Sequence, residues 1–411
     1  MSAVKPRKNQ VILLIAEAVT LAHFARIVSL AKSLTSSGYK IAVASDPRFL
    51  DLEKSFPFEF HPIYSIPSSN FSQALAQGKP LYGVKDLTRY VESELVLIDK
   101  VKPNLIIGDF RLSLSVSAPL RNVPYASIVN AYWSPYADTT YPIPDLPLTK
   151  IFGVDVAQKL FNLVRPLVFA LHAKPLNKVR KTYGLPSLGH DLRQAYTWAD
   201  FTLFADTAEV VPTRQKPFNH YYLGPILWST KTQLPKWWDK LPDEQPIVFI
   251  TLGSSGKTDL LPMMLQALAG MPLTIIAATA GKIHLSNVPQ NVFISDYLPI
   301  DIATQQSQLV ISNGGSLTTY QALSSGVPVI GIAGNMDQLL NMQAIERLGA
   351  GITVRTDKIT QTSIQNAVNL ILHTPSYTKT AEHTAKILQR YDPAERFLEI
   401  VTKILEQPQP D

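Results

Sequence analysis

The chain has 411 residues, of which 46% are hydrophobic and 17% charged, a composition that excludes a disordered chain and leaves room for two or three domains. It contains no cysteine, so disulfides, thiolate metal ligands and thiol nucleophiles are excluded. The net charge is +6 at pH 7, but the basic residues are spread along the sequence, which argues against a nucleic-acid-binding patch.

The first part of the sequence predicts neither a signal peptide nor a membrane span. Residues 1–10 are basic and polar, and the apolar stretch after them is interrupted by Glu17, His23 and Arg26. We therefore expect a cytoplasmic protein. The positive charge leaves open a weak attraction to anionic lipid or to a nucleotide.

The first half of the chain alternates apolar runs of strand length with helical patterns. The predicted strands are residues 11–15, 41–44, 105–107 and 125–129, and the clearest predicted helices cover 24–34 and 87–101. Fully apolar strands that alternate with helices are typical of a parallel sheet covered on both faces. The pattern predicts a doubly wound α/β domain.

The next stretch of the chain is rich in aromatic residues and prolines. Tyr132, Trp133 and Tyr136 precede an apolar helix with basic flanks over residues 156–174. This region is too apolar for a simple connection, so it predicts the wall of an acceptor pocket or a peripheral contact with a membrane surface. An extra helix packed on the core is an equally open alternative.

A proline-rich stretch marks the boundary between domains. Residues 212–246 hold six prolines and three tryptophans without a period, and we place the linker at 229–245. An N-terminal domain of residues 1–228 precedes it. A C-terminal domain of residues 246–385 follows, with apolar runs at 247–252, 273–277, 292–294, 309–311 and 329–332. Residues 386–411 predict closing helices, broken at Pro393.

Two successive turns in the second half predict an anion-binding edge. Residues 309–311 predict a strand, Gly314 and Gly315 a turn, and residues 316–323 a helix. A second strand over 327–330 ends at Gly334, ahead of another helix. A glycine turn into a helix N-terminus directs backbone N–H groups and the positive end of the helix dipole at one spot, which suits a diphosphate. Both turns are expected at the carboxyl edge of the sheet.

The stretch from Asn313 to Gln338 resembles the donor-binding box of the family 1 glycosyltransferases, HxGxxSTxEA followed by GVP and an acidic residue with glutamine. The match without a gap runs through Asn313, Gly315, Thr318, Thr319, Gln321, Gly326-Val327-Pro328 and Asp337-Gln338. The chain is thereby similar to UDP-glycosyltransferases and macrolide glycosyltransferases, with a length like that of bacterial members. The resemblance implies the GT-B fold, in which two Rossmann-like doubly wound domains face each other across a cleft and the last helix crosses back to the N-terminal domain.

The resemblance also implies a reaction and its base. A sugar would pass from a nucleoside diphosphate, with UDP-sugar as the expected donor, to a hydroxyl of a lipophilic small molecule with inversion at the anomeric carbon. His23, in Ala22-His23-Phe24 where the family has GHxxP, corresponds to the catalytic base. Asp109 corresponds to the aspartate that orients the base, and a helix-capping role for Asp109 remains the alternative.

The implied donor site takes its residues from several turns of the second domain. Gly253, Ser254 and Ser255 would lie under the diphosphate, with Gly314, Gly315, Ser316, Thr318 and Thr319 opposite. Tyr297 falls where plant members stack a tryptophan on the uracil, and Asp337 and Gln338 fall where the family binds the sugar hydroxyls. We expect no metal and no cofactor besides the nucleotide sugar, because the helix end and its donors carry the charge.

Three positions depart from the family's donor box. Asn313 stands for the histidine that binds phosphate, Gln321 for the glutamate that binds ribose, and Ile300 for the glutamine that reads uracil in plant members. These replacements leave the nucleotide open and give a rival hypothesis, a non-catalytic sugar-nucleotide-binding or partner-activating relative. His23 and Asp109 favour the enzyme. A dinucleotide-dependent oxidoreductase is disfavoured, because neither turn has the GxGxxG spacing followed by an acidic residue.

Overall fold

The computed structural model describes residues 10–53, 55–242, 244–253, 255–283 and 287–407. Within these ranges the chain forms two compact units. The first unit comprises Met1–Asp138, Phe161–Ile226 and Tyr391–Asp411, and the second comprises Thr139–Leu160 and Leu227–Arg390. Each unit is built on a parallel sheet with helices on both faces, as the apolar strands predict.

The first unit contains a sheet of the order β3-β2-β1-β4-β5-β6-β7 in the described residues. Its strands are β1 Val11–Ala16, β2 Lys40–Ser45, β3 Glu59–Pro62, β4 Leu105–Asp109, β5 Tyr125–Val129, β6 Phe201–Phe204 and β7 His220–Tyr222. The helices around them are α1 Leu21–Ser33, α2 Ser68–Gln77, α3 Val84–Val101, α4 Leu114–Ser117, α6 Val154–Thr182, α7 Leu192–Thr197 and the closing helix α14 Pro393–Glu406. Helix α6 begins in the second unit, directly after the short α5 Pro147–Phe152.

The second unit contains a sheet of the order β10-β9-β8-β11-β12-β13 in the described residues. Its strands are β8 Ile247–Thr251, β9 Thr274–Ala278, β10 Val292–Ser295, β11 Leu309–Ser312, β12 Val329–Ala333 and β13 Gly351–Arg355. Its helices, besides α5, are α8 Leu261–Leu268, α9 Ile300–Gln305, α10 Ser316–Ser324, α11 Met336–Leu348, α12 Gln361–His373 and α13 Pro375–Leu388. Short 3-10 helices lie at Pro47–Leu52, Pro119–Arg121, Ala131–Trp133, Trp238–Lys240 and Thr258–Leu260.

Strand β1 shows why the central strands must be apolar at every position. Its residues Ile12 and Leu14 pack with α1 and α14 on one face, while Leu13 and Ile15 pack with α3 and α4 on the other. Because side chains alternate between the faces of a strand, a sheet covered on both sides needs apolar residues throughout. All four side chains are fully buried.

The strand order places a topological switch point in each sheet. The chain order reverses between β1 and β4 in the first unit and between β8 and β11 in the second. Ala16 pairs with Asp109 at the end of β1 and β4, and Thr251 pairs with Ser312 at the end of β8 and β11. Open α/β sheets bind ligands outside the carboxyl ends of strands at such points. The fold therefore predicts one ligand-binding edge in each unit.

The units differ from the sequence-predicted domain boundaries at one internal segment. The sequence predicts an N-terminal domain of residues 1–228, whereas Thr139–Leu160 groups with the second unit. Asp145 explains the attachment, because its N–H donates to the Gly334 carbonyl at 2.7 Å and its carboxylate accepts from Thr356 and pairs with Lys257. Hydrogen bonds and an ion pair of this kind cannot be predicted from the spacing of hydrophobic residues, on which the domain boundaries were based.

The closing helix α14 belongs to the first unit. It packs against α1, with Phe397 and Val401 fully buried beside Phe24 and Ile27. Asp392 caps its start by accepting from the N–H groups of residues 394 and 395. In the part of the chain that the structure describes, no helix is both long and apolar enough to span a bilayer.

A stability prediction follows from the close pairing of β12 and β13. A Cβ atom at Gly351 would lie 2.3 Å from the Val329 carbonyl oxygen, so Gly351→Ala should destabilise the second unit by roughly 1–3 kcal/mol. At Gly270 a Cβ atom meets nothing within 4 Å, and Gly270→Ala is the control. Urea unfolding followed by circular dichroism should show a lower midpoint for Gly351→Ala only. Equal midpoints for both variants would contradict the strand packing.

Candidate functional site

Polar groups gather at the carboxyl edge of the first sheet, beside its switch point. His23 and Arg26 lie on the first turns of α1, Asp109 ends β4, Asn130 follows β5, and Asp206 lies two residues beyond β6. These side chains form one continuous hydrogen-bonded chain. The sequence predicts only His23 and Asp109 as members of a site.

The imidazole of His23 is held by the buried carboxylate of Asp109. His23 Nδ1 lies 2.8 Å from Asp109 Oδ1, and the Asp109 side chain is fully buried while 15% of the His23 side chain is exposed. An ionised carboxylate only accepts hydrogen bonds, so Nδ1 carries the proton and donates it. The lone pair of Nε2 is therefore available as a base.

Arg26 is a second partner of the same carboxylate. Its Nε donates to Asp109 Oδ2 at 2.7 Å and its Nη2 donates to Asp109 Oδ1 at 2.8 Å, a bidentate pair that is strong and geometrically specific. Nη2 also lies 3.1 Å from His23 Nδ1. Arg26 therefore places a positive charge against the buried carboxylate and restricts the position of the imidazole.

The chain of polar groups continues beyond Arg26. Its Nη1 donates to Asn130 Oδ1 at 2.9 Å, and Asn130 Nδ2 donates to both oxygens of Asp206 at 3.3 and 3.2 Å. The N–H of Ala131 donates to Asp206 Oδ2 at 2.5 Å. All of these groups are buried, so the network fixes the loops after β5 and β6 relative to α1.

Phe110 covers one face of the His23 ring. The two rings stack with centroids 5.0 Å apart and planes inclined by 8°. Phe110 has φ 53°, a left-handed conformation that costs a non-glycine residue about 1–2 kcal/mol. Phe71, Tyr82 and Tyr196 contact the Phe110 ring at centroid distances of 5.2–6.4 Å. The strained residue therefore places an apolar, aromatic wall beside the His23 imidazole.

The residues predicted to line the acceptor pocket have different environments. Trp133 belongs to the aromatic wall, because its ring contacts Tyr196 with centroids 5.0 Å apart. Tyr132 is almost fully buried, with 1% of its surface exposed. Tyr136 packs on His220 at the β7 edge of the sheet, with centroids 5.7 Å apart. Only Trp133 thus joins the aromatic residues beside His23.

A buried ion triad supports the loop that carries Asp109 and Phe110. Arg111 is fully buried and pairs with Glu94 Oε1 at 2.7 Å and with Glu17 Oε2 at 3.1 Å. The guanidinium carbon of Arg111 lies 3.7 Å from the centroid of the Tyr90 ring, and the Tyr90 hydroxyl donates to Glu17. Burial raises the pKa of Glu17, although Arg111 opposes the shift. The triad depends on all three charges, since loss of one leaves a buried charge unpaired.

In the second unit, Asn313 joins the two turns at the switch point. Its Nδ2 donates to Ser255 Oγ at 3.0 Å and its Oδ1 accepts from the Gly315 N–H at 3.1 Å. The Gly314 N–H donates to Ser312 Oγ. The sequence predicts that backbone N–H groups of this turn and helix start converge on one spot, and the Gly314 and Gly315 N–H groups among them donate to side chains within the turn. The amides of the first turn of α10 that follow have no acceptor inside the helix.

The two glycines of this turn have different roles. Gly314 has φ 78°, and a Cβ atom there would lie 2.8 Å from Met342 Cγ, so the position requires glycine. Gly315 has φ −74°, which any residue adopts, and it is the N-cap of α10. Gly253, with φ 59°, forms the corresponding turn after β8, while Ser254 lies outside the described residues.

The hydroxyl and amide residues predicted for the donor site differ in how far they are buried. Thr319 is fully buried, donates to the Gly315 and Ser316 carbonyls and accepts from Asn341, so it stabilises the turn instead of facing a ligand. Thr318 and Gln321 are also buried, whereas Ser316 is half-buried.

The remaining donor-site residues lie after β10 and β12. The hydroxyl of Tyr297 donates to the Ala280 carbonyl at 3.2 Å, which holds its 36% exposed ring over the turn after β9. Gln338 accepts from the N–H groups of Gly334 and Asn335 in a capping box, and its Nε2 is buried without a hydrogen-bond partner among the described residues. Asp337, beside it, is half-buried at the start of α11. Gln338 is thus engaged in capping rather than directed outward.

Among the described residues, no three histidine, aspartate or glutamate side chains lie together in a group that could hold a metal ion.

Comparison with known proteins gives both family and fold. Residues 263–406 match the C-terminal domain of erythromycin biosynthesis protein CIII-like proteins. A PGL/p-HBAD biosynthesis rhamnosyltransferase of Mycobacterium bovis (strain BCG / Pasteur 1173P2) is 49% identical over 379 residues, which cover 92% of this chain and 84% of the relative. A protein of the same strain, named an inactive PGL/p-HBAD biosynthesis glycosyltransferase, is 47% identical over 261 residues, covering 64% of this chain and 71% of the relative.

A solved structure shows the same fold at much lower identity. A spinosyn rhamnosyltransferase complexed with thymidine diphosphate has a TM-score of 0.69 and 16% sequence identity, and the match covers 95% of this chain and 100% of that chain. The predicted pair of Rossmann-like parallel-sheet units is thereby confirmed.

The buried triad allows a test of how the loop after β4 is held. Arg111→Met leaves Glu17 and Glu94 without their buried counter-charge, so the free energy of unfolding should fall by roughly 3–5 kcal/mol. Arg121→Met removes an exposed pair with Asp99 and should change it by less than about 1 kcal/mol. Urea titration of both variants measures the difference. A small loss for Arg111→Met would show that the triad does not support the unit.

Proposed function

This chain belongs to the family of GT-B glycosyltransferases that includes the PGL/p-HBAD biosynthesis rhamnosyltransferase of Mycobacterium bovis, and we propose that it transfers a sugar from a nucleoside diphosphate to a hydroxyl of a lipophilic acceptor. The observation that carries this proposal is the His23–Asp109 pair, which leaves Nε2 as a base beside an aromatic wall. Both residues lie at the switch point of the first sheet, where a ligand is expected.

The proposed reaction is a single displacement. His23 Nε2 takes the proton of the acceptor hydroxyl as its oxygen bonds to the anomeric carbon, and the bond from that carbon to the diphosphate breaks with the electron pair leaving on the diphosphate. Asp109 stabilises the imidazolium that forms. Because the acceptor attacks opposite the leaving group, the configuration at the anomeric carbon inverts, and no enzyme carboxylate is needed as a nucleophile.

The proposed donor site is the carboxyl edge of the second sheet. The amides of the first turn of α10 and the dipole of this nine-residue helix suit the diphosphate, so the transfer needs no metal to balance its charge. Tyr297 offers a partly exposed ring on which a pyrimidine stacks. Asp337 is placed at the start of α11, where its carboxylate would accept from sugar hydroxyls.

The sugar, the nucleotide and the acceptor are each proposed from a separate observation. The relative at 49% identity is named a rhamnosyltransferase, which supports a rhamnosyl donor. UDP stays the predicted nucleotide, and thymidine diphosphate is the alternative, since a structural neighbour is complexed with it. The rings of Phe71, Phe110, Trp133 and Tyr196 beside His23 support an aromatic, lipophilic acceptor. A cytoplasmic location with peripheral membrane contact completes the proposal.

A non-catalytic sugar-nucleotide-binding protein is the second candidate function. It is favoured by Asn313 and Gln321, which replace charged or ionisable family residues, and by a relative at 47% identity that is named inactive. The hydrogen-bonded His23–Asp109 pair favours the enzyme, because binding alone does not require an oriented base.

Removal of the base tests the enzyme directly. His23→Ala should lower turnover by about two to four orders of magnitude with donor affinity nearly intact, because a positioned general base contributes this much. Asp109→Asn should lower it by a comparable or smaller factor. Nucleotide release from UDP- and thymidine diphosphate-rhamnose, with a hydrophobic phenol as acceptor, measures the rates, and the exposed His190→Ala is the control. Equal rates for His23→Ala and wild type would eliminate His23 as the base.

Restoring the family residue tests the donor site. In Asn313→His, the imidazole Nδ1 can accept from the Gly315 N–H as the amide oxygen does now. The Nε2–H group can then donate a hydrogen bond to a phosphate oxygen. Diphosphate binding should strengthen by about 1 kcal/mol. Calorimetry with UDP and thymidine diphosphate measures it, with the exposed Asn369→His as control. If neither the wild type nor Asn313→His binds either nucleotide, the donor site is wrong, and both candidate functions lose their ligand.

A further inference from the structure

Helix α6 carries exposed leucines along one side. Leu163, Leu167 and Leu171 are 78%, 69% and 58% exposed and follow one another at intervals of four residues, so they lie on one face. We call these three residues the leucine stripe. The preceding turns of the helix add Val156 and Leu160, which are also exposed, to the same side.

The opposite face of the same helix is packed on the first unit. Phe169, Ala173, Leu176 and Val179 are buried, and three of these join the cluster that contains residues of α3. A surface helix normally has one apolar face toward the core and a polar face toward water. Helix α6 is apolar on both, so the leucine stripe is not explained by packing within the unit. Contiguous exposed apolar surface marks a contact with another body.

Lysines extend the same side of the helix toward its C-terminus. Lys174, Lys178 and Lys181 are exposed and continue the spacing of three and four residues from Leu171. The helix holds six lysine or arginine residues and one acidic residue, Asp155, a net charge of +5 against +6 for the whole chain. Basic residues are spread along the sequence, but elsewhere acidic residues balance them.

We propose that the leucine stripe and these three lysines dock the protein on a membrane surface that contains anionic lipid. The leucines would enter the boundary between head groups and acyl chains, and the lysines would lie among anionic head groups. Within the described residues no helix is long and apolar enough to span a membrane, so the contact is peripheral. This docking rests on the peripheral membrane contact of the proposed function and names its surface and its lipid, but it does not depend on the chemistry of the transfer.

Charge decides between a membrane and a second copy of this chain. Two copies of the face in parallel would bring Lys174, Lys178 and Lys181 against their own equivalents, which like-charge repulsion opposes. Two antiparallel copies centred on Leu167 would instead set Lys174 and Lys178 opposite the apolar Leu160 and Val156, which removes water from the charges without a counter-charge. An anionic surface instead attracts all three lysines at once, while the stripe supplies apolar area that water does not favour. The combination therefore fits anionic lipid better than self-association.

Co-sedimentation with vesicles tests the docking surface. Full-length protein is mixed with vesicles of phosphatidylcholine alone or of phosphatidylcholine and phosphatidylglycerol in equal parts. We expect binding to the anionic vesicles, weakened by added salt. A variant with Leu163→Gln, Leu167→Gln and Leu171→Gln should bind at least about tenfold more weakly, because exposed apolar area drives insertion. A variant with Lys174→Gln, Lys178→Gln and Lys181→Gln should lose the preference for anionic vesicles.

The controls separate this surface from general effects of charge and apolar area. Val96→Gln on α3 removes a 71% exposed side chain, and a matched charge variant carries Lys79→Gln, Lys85→Gln and Lys100→Gln. Both should bind like wild type.

Binding by the triple leucine variant equal to wild type would overturn the proposal, as would absence of binding by wild type. A wild-type dimer that the leucine variant converts to monomer, without vesicle binding by either, would assign the stripe to self-association instead. Transfer to a water-soluble acceptor should stay unchanged in all variants, so a failure of docking is distinguishable from a failure of the transferase.

Discussion

The buried charge of Asp109 is the constraint on which the polar edge of the first unit depends. A fully buried carboxylate is stable only when charged or hydrogen-bonding partners surround it. Its partners, His23 and Arg26, both come from the first turns of α1, so satisfying one charge also fixes that helix against the end of β4. The direction of the His23 imidazole is a consequence of this electrostatic requirement. Arg26 donates two of the hydrogen bonds that this carboxylate accepts, and His23 donates one.

In the second unit, a neutral side chain instead of a buried charge connects the loops at the switch point. Asn313 follows β11 as Asp109 ends β4, and its amide ties the turn after β8 to the start of α10. In both units the polar side chain at the switch point connects neighbouring loops. The neutral amide does this at lower desolvation cost than a charge. The replacement of the family's histidine at this position is thus compatible with an ordered turn.

Much of the fold could be predicted from sequence, because it follows from apolar runs. The strands predicted over 11–15, 105–107 and 309–311 lie within β1, β4 and β11, and the two-unit α/β architecture is confirmed. Strands β3, β6, β7 and β13 were not predicted, since they are short or half-buried and lack a continuous apolar run. The segment 139–160 was assigned to the first domain because its attachment to the second unit is polar. Local patterns describe a residue's own element, whereas the partner of Asp145 lies more than 100 residues away.

The same limit applies to the candidate sites. Family position identified His23 and Asp109, but Arg26 and Asp206 have no local pattern, and their contacts depend on the strand order. Asn130 directly follows a predicted strand, so its place at the carboxyl edge could have been inferred. The family position of Thr319 also does not reveal that its side chain is buried and hydrogen-bonded within the turn, because that depends on the packing of α10 against Asn341.

The position of α14 in the first unit constrains how the protein folds as it is synthesised. Phe397 and Val401 pack in the same core as β1 and α1, although more than 300 residues separate them in the chain. A ribosome therefore exposes the strands of the first sheet long before the helix that covers part of one face is made. The second unit is continuous from Leu227 to Arg390 and needs only the earlier segment Thr139–Leu160, so it can complete its core before the first unit does. The N-terminal sheet therefore keeps part of its apolar surface uncovered during translation, a state in which a nascent chain is prone to aggregate.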